Sequence, residues 1–248
     1  MLQWPFLPHW LFVTYRLAVA IYAVVMTILS IVHYEIGHLP WPVWLSNLSY
    51  LLLTCHLVCS AAIVVLHTIY KQQQYADSKS IPCNMKFNWF LFAMGSSYAI
   101  IVSTLFFAVL FPLRNLDYVD EWGIIYHVMN SVAVILEFLI SALPVRLLHV
   151  VYVMFFGLAY VLFSIIYWAV DHTHVIYSPG FDWNDPVTSA IVSAIVVFAG
   201  ALVVQIILFG IYQLRVFIYV QFVEKQINEP PSPKQSSENS SSAPWLKY

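Results

Sequence analysis

An imidazole, an amide and a hydroxyl, from His127, Asn130 and Ser131, stand inside an otherwise apolar run. At spacings of i, i+3 and i+4 they share one face of a helix. A titratable ring in hydrocarbon is costly, so it reads as a functional site whose partner must be found. The best partner lies in an earlier apolar run, where Ser46 and Asn47 follow Pro42, and Tyr50 and Thr54 continue the stripe from Ser46. At 1.5 Å per residue, His127 sits about 9 Å inside its helix and Ser46 and Asn47 about 6 to 8 Å inside theirs. Such a set could perform acyl transfer. The Ser46 hydroxyl would attack an ester carbonyl, His127 would take its proton, and Asn47 or Asn130 would orient the base or donate to the oxyanion. The plainer reading is that these groups hydrogen-bond across helices, each contact contributing about 0.6 to 2 kcal/mol.

A second polar layer lies deeper. Glu137 follows Asn130 by two helical turns, and Arg16 stands at a comparable depth in the first apolar run. Pairing Arg16 with Glu137 would offset the burial of both charges and is expected as a structural ion pair, with Arg146 or His149 as alternative partners for the carboxylate. His56, on the stripe of Ser49 and Ser60, reads as a hydrogen-bonded packing residue.

The elements that must position these groups follow from composition. The 248 residues are 61% hydrophobic and 9% charged, where ordinary soluble chains carry roughly a quarter charged residues. Six runs reach the length of about 20 residues needed to cross a bilayer: 10–32, 43–69, 88–111, 121–141, 146–169 and 187–219. The expected fold is all-α, a polytopic six-helix transmembrane bundle over residues 1–219. A tail follows from 220 and is expected to be disordered from about 228, where Pro, Ser, Glu and Asn take over. Lys71, Lys79, Lys86, Arg146, Arg215, Lys225, Lys234 and Lys247 fall on one side, and only Arg114 on the other. Cytoplasmic connections are enriched in such residues, so both termini are expected in the cytoplasm. No basic n-region or cleavage site precedes the first run, which is expected to stay as an anchor. Trp4, Trp10, Trp41, Trp44, Trp89, Trp122, Trp168 and Trp183 cluster at span ends, as interface anchors do.

Several functions are disfavoured. A net charge of −2 gives no reason to expect a nucleic acid partner. Prolines lie at or outside span ends and glycine totals seven, so the interrupted midplane helices of secondary transporters are missing. Cys55, Cys59 and Cys83 form no disulfide framework; Cys83 in a cytoplasmic loop is a weak palmitoylation signal. His33, His38, Asp171, His172 and His174 have soft spacing on loops, and no metal or organic cofactor is expected. The sequons at Asn47 and Asn239 are too close to the membrane and cytoplasmic, respectively, to be modified.

Trp4-Pro5, Tyr15-Arg16, Trp44-Leu45-Ser46-Asn47, His127, Asn130, Leu136-Glu137, Pro144-Val145-Arg146, His149, Tyr152 and Tyr167-Trp168 together resemble the rolling stone family of animal membrane proteins. The resemblance covers the first five spans and is strongest from His127 to Trp168. It implies a link to myoblast fusion and muscle development, with no settled biochemical activity. More distantly the layout is similar to the androgen-induced six-span proteins that hydrolyse branched fatty-acid esters of hydroxy fatty acids through an intramembrane threonine and histidine. By position these map to Ser46 and His127, with serine keeping the hydroxyl. Leu48 departs from the aromatic residue that rolling stone relatives tend to have after the asparagine.

The resulting expectation is a multi-pass protein of the plasma membrane or endoplasmic reticulum, with membrane lipids as partners. Two roles are in contention. One is lipid-ester hydrolysis by Ser46 and His127, with Asn47, Tyr50, Asn130 and Ser131 lining the site. The other is a non-enzymatic role in cell fusion or membrane organisation.

Overall fold

The computed structural model describes residues 8–32, 40–70, 82–113, 119, 121–141, 143–170, 172–173, 175–177 and 180–228. The tail beyond 228 and most of the loop histidines and acids named above lie outside them. Six helices in the described residues are long and apolar enough to cross a membrane. They are α1 (His9–Val32), α2 (Leu45–Ile69), α3 (Cys83–Leu110), α4 (Glu121–Ile140), α5 (Leu147–Ala169) and α6 (Pro186–Gln221). Contacts divide the chain into a unit Met1–Phe209 and a unit Gly210–Tyr248; the packing and the sites described below lie in the first.

Local chemistry sets the helix ends. Asp185 caps α6 by accepting the Thr188 N–H at 3.2 Å, and Pro186 follows at the position where a missing N–H does no harm. Pro40 opens a 3₁₀ turn, Trp41–Val43, ahead of α2. α3 starts at Cys83, before the apolar run expected from 88. Its first turn is polar, yet the Met85 and Lys86 amides both bond the Pro82 carbonyl at 3.1 Å, and backbone bonding rather than hydropathy decides where a helix begins.

α2 and α3 are the central helices, about half buried, whereas α5 is only 22% buried and turns Leu148, Phe155 and Leu162 outward. Gly95 lets α3 lie against α2 closely enough that an added Cβ would meet the Leu53 Cα at 3.0 Å. One turn further along α3, the Tyr98 hydroxyl donates to the Val153 carbonyl of α5 at 2.7 Å. Thr27 of α1 and Thr54 of α2 share a hydrogen bond of 3.1 Å. Phe12, Leu53, Leu57, Phe92, Val134, Phe138 and Val153 fill the core between these contacts.

Candidate functional site

α2 and α4 run in the same direction and touch along two polar layers. In the first, the Asn130 amide donates to the Ser49 hydroxyl at 3.2 Å, and the rings of Tyr50 and Tyr126 meet edge to face at 5.6 Å. Above them the Trp41 indole N–H is shared between Ser30 and Tyr126 oxygens, each at 3.2 Å, while Asn47 donates to the Trp41 carbonyl at 2.8 Å. Asn47 therefore holds the turn that starts α2. The Tyr50 hydroxyl and the Asn130 side-chain oxygen are buried with no hydrogen-bond partner.

The second layer is charged. Glu137 is fully buried, and both of its oxygens accept from Arg16 Nη1 at 2.8 Å. Ser141 donates to it at 2.7 Å and Tyr15 at 3.2 Å, and His56 Nε2 stands 3.3 Å away. Arg16 Nη2 also donates to Ser141. Two charges withdrawn from water need this density of partners, because Coulomb attraction alone barely repays their desolvation. Arg146 and His149 do not bond the carboxylate. The Arg146 carbonyl instead accepts from Gln205 at 2.8 Å, and the His149 ring lies near Tyr152.

His127 faces elsewhere. It lies in a π-helical stretch, Ile124–Met129, and its ring stacks on Phe106 of α3 with centroids 3.9 Å apart and planes 8° from parallel. Phe106 itself opens a second π-helical stretch, Phe106–Leu110. The His127 carbonyl accepts from Ser103 at 2.6 Å, and Ser131 donates to that same Ser103 at 2.8 Å. His127 Nδ1 is buried without a partner. Ser46 sits beside the Tyr177 phenol, whose oxygen accepts the Leu45 N–H at 2.9 Å.

The prospective dyad is thus not joined: among the described residues no hydrogen bond links Ser46 to His127. Backbone geometry explains the difference. Each residue of a π-helix turns through a smaller angle than the α-helix's 100°, so the shared face assumed for His127 and Asn130 does not survive. Tyr126, Asn130, Val134 and Glu137 are among the residues turned inward; His127 and Ser131 serve the α3 side. Ser49 and His56 have no named partner from sequence, where His56 reads as a hydrogen-bonded packing residue, and Ser103 is not singled out. A signal for the first two was present, since Ser49 to His56 and Asn130 to Glu137 are equal steps along their helices.

No group of three or more His, Cys, Asp or Glu that could hold a metal occurs among the described residues.

The family model described as protein rolling stone matches residues 4–226, which takes in all six helices. The chain belongs to the rolling stone family. Protein rolling stone of Drosophila melanogaster is 34% identical over 137 residues, an alignment that covers 53% of this chain and 49% of that protein. The chain therefore spans about half the length of the curated relative it matches. No solved structure matches it. Six apolar helices within a rolling stone family match make this a multi-pass membrane protein.

Proposed function

We propose that this rolling stone family protein acts without catalysis, in cell fusion or membrane organisation, with its polar layers holding the helices in register. Both termini face the cytoplasm, in keeping with the placement of Lys and Arg. The observation that carries the reading is the use of the polar side chains. Asn130 is bonded to Ser49, Ser131 to Ser103, Asn47 to the Trp41 carbonyl and Glu137 to Arg16, each across two elements. Interhelical hydrogen bonds of this kind are what a packing role requires.

Hydrolysis of a lipid ester by Ser46, with His127 as base, is the second reading. It draws on one observation, the unpartnered His127 Nδ1 within a π-helical stretch, a feature frequent at functional sites. A cell–cell fusion assay with surface labelling separates the two. The packing role predicts that Ser46→Ala and His127→Phe fuse normally, since phenylalanine keeps the stack on Phe106. Loss of fusion in Ser46→Ala at unchanged surface level, together with loss of labelling by a serine-reactive fluorophosphonate, would overturn it in favour of hydrolysis.

A further inference from the structure

A cleft opens between α1, α2, α3 and the segment after α4, away from both His127 and Ser46. Phe12, Ile63, Val64, Met85 and Leu143 form its apolar walls, and Arg16, Ser60, Asn88 and Trp89 its polar ones. Its interior is shallow, about 40 Å³ in volume, and open on one side, so a ligand would lie along it rather than be enclosed. The Ser60 hydroxyl and the Asn88 amide are bonded to each other at 3.0 Å. Arg16 Nε and Trp89 Nε1 are different, because both are buried nitrogens with no hydrogen-bond partner. Buried N–H donors left unmatched are destabilising by about 1–3 kcal/mol each. Two of them on residues that line one cleft point to an acceptor that belongs there.

Charge and depth narrow the acceptor. Arg16 is already neutralised by Glu137 at 2.8 Å, so an anion in the cleft would be buried without a counter-charge. A neutral oxygen suits the site better. Phe12 and Arg16 lie within the first two to three turns of α1, Met85 to Trp89 within the first two turns of α3, and Ile63 and Val64 in the last two turns of α2. At 1.5 Å per residue, Trp89 is about 9 Å inside the start of its helix. That depth lies below the phosphate headgroups, where the ester carbonyls and upper acyl chain of a glycerolipid reside.

We propose that this cleft is a lipid-binding site. Arg16 Nε and Trp89 Nε1 donate to an ester carbonyl of a glycerolipid whose acyl chain lies along Phe12, Ile63, Val64 and Met85.

The test uses the full chain in nanodiscs made from equal parts of dioleoylphosphatidylcholine and its dialkyl ether analogue, which lacks the carbonyls. Lipid retained after release into mild detergent is counted by native mass spectrometry. The wild type should retain the ester lipid about five- to tenfold over the ether lipid, the value of roughly one good hydrogen bond. Trp89→Phe keeps the ring but not the N–H and should remove most of that preference. Thermal unfolding is followed in parallel. Should Trp89→Phe fail to fold, Ile63→Phe narrows the cleft from its apolar wall and should lower retention of both lipids. Equal retention of ester and ether lipid by the wild type would overturn the proposal, as would an unchanged preference in folded Trp89→Phe. A cleft filled by water alone, with no lipid retained, would do the same. Preferential retention of added oleate would show an anion site instead.

Discussion

Replacing Glu137 by glutamine is the sharpest probe of the charged layer. The amide keeps the shape and one acceptor, so packing around Phe92 and Phe138 is preserved while the Arg16 charge loses its counter-ion. Arg16 is 4% exposed and Glu137 fully buried, so water cannot take over. Two unit charges about 4 Å apart at an effective dielectric of about 20 interact by about 4 kcal/mol. Removing one member of a buried pair typically destabilises by about 3–5 kcal/mol, because the other charge stays buried and unpaired. Glu137→Gln should therefore lower the midpoint of thermal unfolding in detergent by roughly 10 °C, at about 2–4 °C per kcal/mol for a chain of this size. Arg16→Met alone should destabilise comparably, because it leaves the carboxylate stranded. Arg16→Met combined with Glu137→Leu removes both charges and should recover most of the loss, ending within about 2 kcal/mol of the wild type. A complete double-mutant cycle of Arg16→Met and Glu137→Leu, each also measured singly, decides the matter. If the single changes each shift stability by less than about 1 kcal/mol, or if the double variant loses their full sum, the two charges are not coupled and the ion pair does not organise this layer.

Two further predictions rest on geometry. Gly95→Ala places a Cβ 3.0 Å from the Leu53 Cα and 3.1 Å from the Leu53 nitrogen, both backbone atoms that cannot step aside. It should destabilise by about 1–3 kcal/mol, whereas Gly210→Ala, with nothing within 4 Å, should be neutral or stabilise by up to about 1 kcal/mol; thermal unfolding of the two variants side by side checks the contrast. Asp185 has its carboxyl pKa lowered by its hydrogen bonds to Thr188. A lowered folded-state pKa means the cap's contribution is present above the ordinary carboxylate value and fades as pH falls through the lowered one. Amide hydrogen exchange at Thr188, corrected for intrinsic rate, should lose protection on going from pH ~7 to ~3, and Asp185→Ala should abolish that pH dependence.

The long apolar helices are legible because apolar length is a property of contiguous residues: α1, α4 and α5 begin and end within a residue or so of their apolar runs. Depth along a helix was equally readable, since it follows from rise per residue. Direction around the helix was not. α-Helical spacing puts His127, Asn130 and Ser131 on one face, and the π-helical stretch Ile124–Met129 changes that direction without leaving a mark in composition. Its counterpart at Phe106–Leu110 supplies the aromatic ring that His127 stacks on. Ser46 illustrates a different gap. Its neighbour Tyr177 comes from the connection before α6, and no periodicity within a span predicts which loop returns to cover a helix end.

The two polar layers form one interface rather than two sites. Ser49 and His56 are seven residues apart, as are Asn130 and Glu137, and seven residues is close to two turns of an α-helix. Two helices running in parallel and touching at Ser49–Asn130 must therefore approach again at His56–Glu137, the knobs-into-holes logic of a heptad seam carried out with polar side chains. The observed contacts of 3.2 Å and 3.3 Å occupy those two positions. In between lie Leu53 and Val134, each 1% exposed, so the seam alternates polar and apolar packing. This arrangement gives the polar residues a common purpose. A polar residue at a seam position selects register, because sliding one helix by a turn would leave either Asn130 or Glu137 facing the leucines of α2. Register selection also accounts for why His56 stands beside the carboxylate. It extends the Glu137 network from α1 into α2, so that α1, α2 and α4 are aligned by one buried group.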